Sequence, residues 1–108
     1  MSVDVRLLAS AALSADVRTQ LRTLLWGAFP DDFTEDDWQH GLGGVHVVAF
    51  DGERPVGHAS VVGRALRVGG QRFDGGYLEA VAVDASHRGR GIGASVVRLA
   101  GEVINQGF

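Results

Sequence analysis

The sequence contains no cysteine among its 108 residues. Disulfide bonds, thiolate metal sites and a cysteine nucleophile are therefore excluded, and the composition is compatible with a reducing compartment. The first ten residues, MSVDVRLLAS, do not have the pattern of a secretory signal, and no apolar run is long enough to cross a bilayer. The net charge of −3 gives no general reason to expect a nucleic-acid partner. We therefore expect a cytoplasmic protein that binds neither nucleic acid nor membranes.

Glycine, by contrast, is abundant at 16 positions and clusters at 41–44, 69–76 and 89–93. Such clusters indicate turns in a β-rich chain. Hydrophobic periodicity and capping residues predict the element order β-α-α-β-β-β-α. The predicted elements are a strand beginning at Val3, a helix capped by Ser14 that ends near Phe29, a short helix over 34–41, strands over 45–50, 56–66 and 77–83, and a closing helix whose apolar stripe is Ile92, Val96, Leu99, Ala100, Val103 and Ile104.

This order predicts one α/β (α+β) domain over residues 1–108, with a mixed, mostly antiparallel sheet flanked by helices. The chain stops directly after the last helix, whereas a strand followed by a packed helix usually continues into a parallel strand. We therefore expect the C-terminal strands of the domain to be missing. The chain is then either the N-terminal part of a longer domain or is completed by a second copy, as in a homodimer.

The segment HRGRGIG, residues 87–93, lies between a predicted strand and a predicted helix. Backbone N–H groups and the dipole of a helix N-terminus attract anions, and glycine lets an anion approach the main chain closely. Two arginines add charge that can bind phosphate oxygens. The segment therefore predicts a pyrophosphate site made by Arg88, Gly89, Arg90, Gly91 and Gly93. The alternative is a tight turn with two solvated arginines.

Two common phosphate-binding patterns fit this segment poorly. A P-loop needs Lys followed by Ser or Thr after its last glycine, and this chain has Ala94 and Ser95 there. Residues 89–94 satisfy the dinucleotide pattern G-x-G-x-x-G/A, but the preceding strands are predicted to be antiparallel and no second strand follows.

A third pattern, Arg/Gln-x-x-Gly-x-Gly/Ala, is met by residues 88–93. Together with Leu-Glu-Ala-Val-Ala-Val at 78–83, it resembles the acetyl-coenzyme A motif of the GCN5-related N-acetyltransferases. The resemblance implies the acyl-CoA N-acyltransferase fold and acetyl-coenzyme A as the acyl donor, with no metal. It also implies that the strand before the loop binds the pantetheine arm and that the loop surrounds the pyrophosphate.

Glu79 lies within an otherwise apolar predicted strand. A buried carboxylate has a raised pKa and suits a general base that removes a proton from an amine. A backbone N–H near Val81 can stabilise the developing oxyanion. Strand alternation places Glu79 on the same face as Val81 and Val83, unless a bulge changes the parity. The alternative is a glutamate on an exposed face or one paired with an arginine such as Arg64.

Five carboxylates lie between positions 31 and 37. Thr34 and Asp37 have the spacing of a helix capping box, and acids also favour the positive end of a helix. Capping leaves Asp31 and Asp32 unexplained. Acids beside an aromatic ring, here Trp38, predict a site for a polyamine.

Residues 31–44 and 76–83 resemble the aminoglycoside 2′-N-acetyltransferases of mycobacteria and related actinobacteria. The resemblance implies that Asp32, Asp37 and Glu79 bind the drug and that Glu79 is a water-mediated base. Backbone groups of Val81 and Val83 would bind the pantetheine and thioester, and residues 88–93 the pyrophosphate. The implied function is acetylation of the 2′-amine of aminoglycosides, which gives antibiotic resistance.

Two other functions stay open: acetylation of another amine, in a polyamine or a protein, and coenzyme A binding without catalysis. Members of the family that the chain resembles continue beyond the position of Phe108. Their C-terminal part contains a tyrosine proposed as the general acid, and Tyr77 does not match that tyrosine. We therefore expect the chain alone to bind coenzyme A poorly and to be inactive. The four histidines have no recognised metal-ligand spacing, although His46 and His58 could meet across neighbouring strands.

Overall fold

A computed structural model describes residues 3–42 and 44–107, except the side chains of residues 40, 41, 64–68, 72–75, 77, 106 and 107. The described elements follow the predicted order. They are β1 (Val3–Ala9), α1 (Ala15–Ala28), α2 (Glu35–Gly41), β2 (Val45–Asp51), β3 (Arg54–Val68), β4 (Gln71–Val83) and α3 (Ile92–Gly107), with short 3-10 turns at Ser10–Ala12 and Ala85–His87.

The four strands form one sheet in the order β1-β2-β3-β4, and every described pairing is antiparallel. The prediction that β4 begins at position 77 was wrong by six residues. The ladder between β3 and β4 continues outward to the pair Val68–Gln71, so only Gly69 and Gly70 form the turn. Both of these glycines have positive φ, whereas Gly75 and Gly76 lie inside the strand.

Helix α3 covers one face of the sheet. The buried side chains there are Val47, Ala49, Val56, Ala59, Val61, Ile92, Val96 and Ala100, and Leu99, Val103 and Ile104 pack against them. The predicted apolar stripe of the last helix is thereby confirmed. At the start of α3, Ile92 rests directly on Gly57 of β3, since a β-carbon at Gly57 would lie 2.7 Å from Ile92 Cγ2.

Helices α1 and α2 cover the opposite face. This second layer of the core buries Leu13, Leu21, Leu25, Trp38, Val48, Phe50 and Ala82. The predicted cap of α1 is confirmed, because the Ser14 side chain accepts a hydrogen bond from Val17 N. No helix within the described residues is both long and apolar enough to cross a membrane.

Candidate active site

A β-bulge in β4 determines where Glu79 points. Ser60 and His58, two residues apart on β3, pair with Glu79 and Ala82, which are three residues apart on β4. The extra residue bends the strand, and Ala80 adopts a left-handed φ of 51°. Glu79 and Ala82 therefore share the face covered by α1 and α2. Simple alternation of Glu79 with Val81 and Val83 was wrong, because those two valines pack on the α3 side.

Glu79 lines an open pocket of about 640 Å³ between the bulge and the start of α2. Its lining is acidic and aromatic: Phe29, Asp32, Phe33, Asp36, Asp37, Glu79 and Ala80. The structure thus brings together the three residues that the sequence analysis assigned to substrate binding. Four carboxylates in one concave site produce a strongly negative potential, which favours polycations.

Asp36, Phe29 and Phe33 were missed as pocket residues. The sequence contained a signal for the two phenylalanines, because positions 29 and 33 are one helical turn apart. The chain makes a turn between α1 and α2, in which Phe33 N donates to Phe29 O at 3.1 Å and the two rings stack with centroids 6.4 Å apart. Asp36 could not be separated by sequence from the acids that only favour the helix N-terminus.

Trp38 is not the aromatic wall of this pocket, contrary to the prediction. Its side chain is only 5% exposed, and the Arg22 guanidinium lies 5.3 Å from its ring centroid. Arg22 also binds Glu35, whose pKa is lowered mainly by that hydrogen bond. Glu35 is therefore neutralised by a cation outside the pocket. Trp38 anchors α2 to the core, and phenylalanines supply the aromatic surface.

The predicted capping box of α2 is confirmed. Thr34 N donates to Asp37 Oδ2 at 2.9 Å, and Asp37 N donates to Thr34 Oγ1 at 3.2 Å. This reciprocal pair fixes the Asp37 side chain at the pocket while its other carboxylate oxygen makes neither capping bond. Asp37 therefore both caps α2 and lines the pocket.

The glycine-rich loop leads directly into α3. Gly89 and Gly91 have φ values of 81° and 77°, and a β-carbon at either position would meet no atom within 4 Å. The main chain is therefore open at the N-terminus of α3, as an anion site requires. Ser95 N donates to Gly91 O at 3.0 Å, so the first turn of the helix continues from the loop.

The two loop arginines lie on opposite sides of the loop. Arg88 donates through Nε to Val83 O at 3.3 Å and lines a cleft of about 280 Å³ beside α1. Arg90 lines a separate pocket against Val3 and Val5 of β1. The structure thus places Arg88, and not Arg90, beside the end of β4.

His87 fixes the start of the loop. In the sequence analysis, this histidine was considered only as a possible metal ligand. Its Nδ1 lies 3.0 Å from Asp84 Oδ2 and its Nε2 lies 3.1 Å from Asp51 Oδ2. The hydrogen bonds to Asp84 and then Asp51 raise the pKa of His87. The pKa of Asp84 is lowered to about 2, chiefly by Ser86 and then by His87. This cluster links the loop to the β2–β3 turn.

His46 and His58 do meet across β2 and β3, and they form a buried polar chain. Ser10 Oγ lies 2.9 Å from His46 Nε2, His46 Nδ1 lies 2.9 Å from His58 Nε2, and His58 Nδ1 lies 2.8 Å from Ala80 O. Both imidazoles are 1% exposed. Burial is the main cause that lowers the pKa of each to about 4.

This pair predicts a loss of stability in weak acid. The unfolded state takes up protons on these histidines near pH 6.5, whereas the folded state does so only near pH 4. The free energy of unfolding should therefore fall as the pH drops from 6.5 to 4, by on the order of 3 kcal/mol for each imidazole. Urea titrations across this range would measure it.

The contribution of Glu35, whose pKa is lowered from 4.5, is lost only as the pH falls below 4.5, at the acid end of this range, and Asp84 and His87 act outside it. The contribution of Asp84 is present above pH 3.8 and is lost as the pH falls toward 2, and that of His87 is lost above pH 6.5. A His58→Leu variant should flatten the slope between pH 4 and 6.5. A free energy of unfolding that stays constant over this range in the unaltered protein would contradict the prediction.

Comparison with known proteins identifies relatives of this architecture. The sequence model of the acetyltransferase (GNAT) family matches residues 17–106. Over 103 residues, 95% of the chain, the sequence is 33% identical to an aminoglycoside 2′-N-acetyltransferase from Mycolicibacterium fortuitum. The chain spans 53%, about half, of the length of that relative.

Solved structures share the fold at lower identity. One is an aminoglycoside acetyltransferase from an uncultured soil metagenomic sample in complex with sisomicin, with a TM-score of 0.71 and 20% identity, covering 96% of this chain and 70% of that one. Another is a probable N-acyltransferase from Enterococcus faecalis V583, with a TM-score of 0.76 and 14% identity, covering 98% of this chain and 27% of that one. The predicted fold class is thereby confirmed.

Proposed function

The chain belongs to the acetyltransferase (GNAT) family, and from that membership we propose that it transfers an acetyl group from acetyl-coenzyme A to the 2′-amine of aminoglycosides. The observation that carries this proposal is the acidic pocket that contains Glu79, Asp32, Asp36 and Asp37. A candidate base and three further carboxylates converge on one site. An aminoglycoside presents several ammonium groups and one amine to be acylated, which matches this arrangement.

The loop fits the acyl donor. Open space at Gly89 and Gly91, together with the N-terminus of α3, suits a diphosphate group, and Arg88 lies at the adjacent cleft. Acetyl-coenzyme A, when bound, supplies an activated thioester. Val81 and Val83 lie on β4 between the bulge and the loop. Under this proposal, their backbone groups hold the pantetheine arm.

Glu79 has the first chemical task. An ammonium group cannot attack a thioester, so Glu79 takes its proton directly or through one water. The neutral amine nitrogen then forms a bond to the acetyl carbon while the carbon–sulfur bond breaks, and the remaining extra proton of the nitrogen passes to the departing thiolate. The Val81 N–H stabilises negative charge on the acetyl oxygen. The products are an uncharged amide and the coenzyme A thiol.

Asp36 provides a test of the substrate class. Asp36→Asn should raise the KM for a 2′-amino aminoglycoside about two- to fivefold, because a surface charge pair contributes up to about 1 kcal/mol. The kcat and the KM for acetyl-coenzyme A should not change. Thiol release at varied drug concentration and at varied acetyl-coenzyme A concentration measures all three values. Asp31→Asn is a matched control, since Asp31 is exposed and does not line the pocket.

Substrate competition separates the alternatives. A 2′-hydroxyl aminoglycoside should not be acetylated at that position, and spermidine should react far more slowly than the 2′-amino drug. Preference for spermidine would assign the same fold to polyamine acetylation. Coenzyme A binding in calorimetry without turnover of any amine, in a protein that has the full length of the relative, would assign a binding role instead.

A further inference from the structure

We propose that His58 is a positioning residue that aims the Val81 N–H at the acyl donor. The catalytic effect of His58 rests on the proposed function, whereas the structural basis for its role is the bulge in β4. His58 Nδ1 lies 2.8 Å from Ala80 O, at the residue with left-handed φ. His58 thus contacts the peptide unit that follows this left-handed residue of β4.

The hydrogen-bond direction follows from the acceptor. A carbonyl oxygen only accepts, so His58 Nδ1 carries the proton, and in the neutral ring Nε2 must accept. His46 Nδ1 therefore donates to His58 Nε2. Because Nδ1 carries the one proton of the neutral His46 ring, His46 Nε2 accepts from the Ser10 hydroxyl. The buried chain fixes one tautomer of His58.

The peptide between Ala80 and Val81 transmits this bond. In a trans peptide the carbonyl and the next N–H point in opposite directions. Because the Ala80 carbonyl is turned toward His58 of β3, the Val81 N–H faces away from β3, toward the open side of β4. In the described ladder, neither Ala80 nor Val81 has a pairing partner on β3. The His58 imidazole therefore provides the hydrogen bond that pairing between β3 and β4 provides at other positions.

The chain cannot serve as a proton wire for Glu79. It ends on a carbonyl oxygen, which does not take up a proton, and the neighbouring link is Ser60 Oγ donating to Glu79 O, also a backbone oxygen. Both polar contacts reach the main chain of the bulge. The role assigned to His58 is therefore geometric.

Three variants distinguish this role from simple packing. His58→Asn keeps an N–H donor where Nδ1 stands, His58→Gln moves the donor outward, and His58→Leu keeps volume without a donor. We expect kcat to fall about ten- to a hundredfold in His58→Leu and His58→Gln and to stay within about threefold in His58→Asn, because a misdirected oxyanion donor resembles a removed one. The KM for both substrates should change by less than about twofold.

Two further measurements need no turnover. In the unaltered protein, ¹⁵N NMR of the histidine ring should show His58 protonated on Nδ1 and not on Nε2. The infrared carbonyl band of bound ¹³C-acetyl-coenzyme A should move to higher wavenumber in His58→Leu but not in His58→Asn. A protonated Nε2 in the neutral ring, or equal kcat values in folded His58→Leu and His58→Asn, would overturn the proposal. Absence of turnover with the Nδ1 tautomer present would contradict only the proposed function.

Discussion

Replacing Glu79 by glutamine should lower kcat by about a hundredfold or more and leave coenzyme A affinity nearly unchanged. Glutamine preserves the shape of a side chain that lines the acidic pocket, but it cannot accept the proton of the attacking ammonium group. General-base catalysis contributes typically 10²- to 10⁴-fold. Thiol-release kinetics give kcat, and calorimetry gives the affinity for coenzyme A. Glu53→Gln, an exposed change in the β2–β3 turn, is the matched control.

The pH dependence makes this prediction specific. Raising the pH deprotonates the amine in solution, so the difference between Glu79→Gln and the unaltered protein should shrink above neutral pH. A loss that stays constant at every pH would indicate a binding role for the carboxylate. Full activity of the variant across the pH range would eliminate Glu79 as the base.

Replacing Gly91 by valine should weaken coenzyme A binding about ten- to a hundredfold. Gly91 has a φ of 77°, which a β-branched residue rarely adopts, and its bare main chain stands at the N-terminus of α3. Valine would distort the loop and shield N–H groups that would bind phosphate oxygens. Each hydrogen bond to a charged group is worth about 1.5–3 kcal/mol, so losing one accounts for the expected factor.

Backbone strain alone must be separated from ligand binding. Gly70→Val introduces the same residue at a φ of 83° in the β3–β4 turn, far from the loop in sequence. Both variants should lose stability in thermal melting, and only Gly91→Val should lose coenzyme A affinity in calorimetry. Equal affinity in the two variants would show that the loop does not bind the coenzyme.

Sequence alone predicted the features that depend on local patterns. The Ser14 cap, the Thr34–Asp37 capping box and the apolar stripe of α3 each follow from spacing along one helix. The approach of His46 to His58 was foreseen because neighbouring antiparallel strands bring such residues together. The roles given to residues 81, 83 and 88–93 remain predictions.

Other features that depend on contacts between elements were not predictable. The burial of Trp38 depends on how α2 packs on the sheet, and a helical pattern does not specify the partner. The bulge at Ala80 depends on the register between β3 and β4, and a continuous apolar segment does not specify that register. Gly75 and Gly76 look like a turn in sequence, yet the long β3–β4 ladder includes them.

The contact of Ile92 with Gly57 has a wider consequence. Because Ile92 lies on the bare main chain of Gly57, no side chain at position 57 can change rotamer and alter the clearance at the start of α3. Under the proposed function, this contact then fixes the distance between the diphosphate at the loop and the thioester at β4. Evolution toward longer or shorter acyl groups would then have to change the aromatic and acidic residues that line the Glu79 pocket and leave Gly57 unchanged.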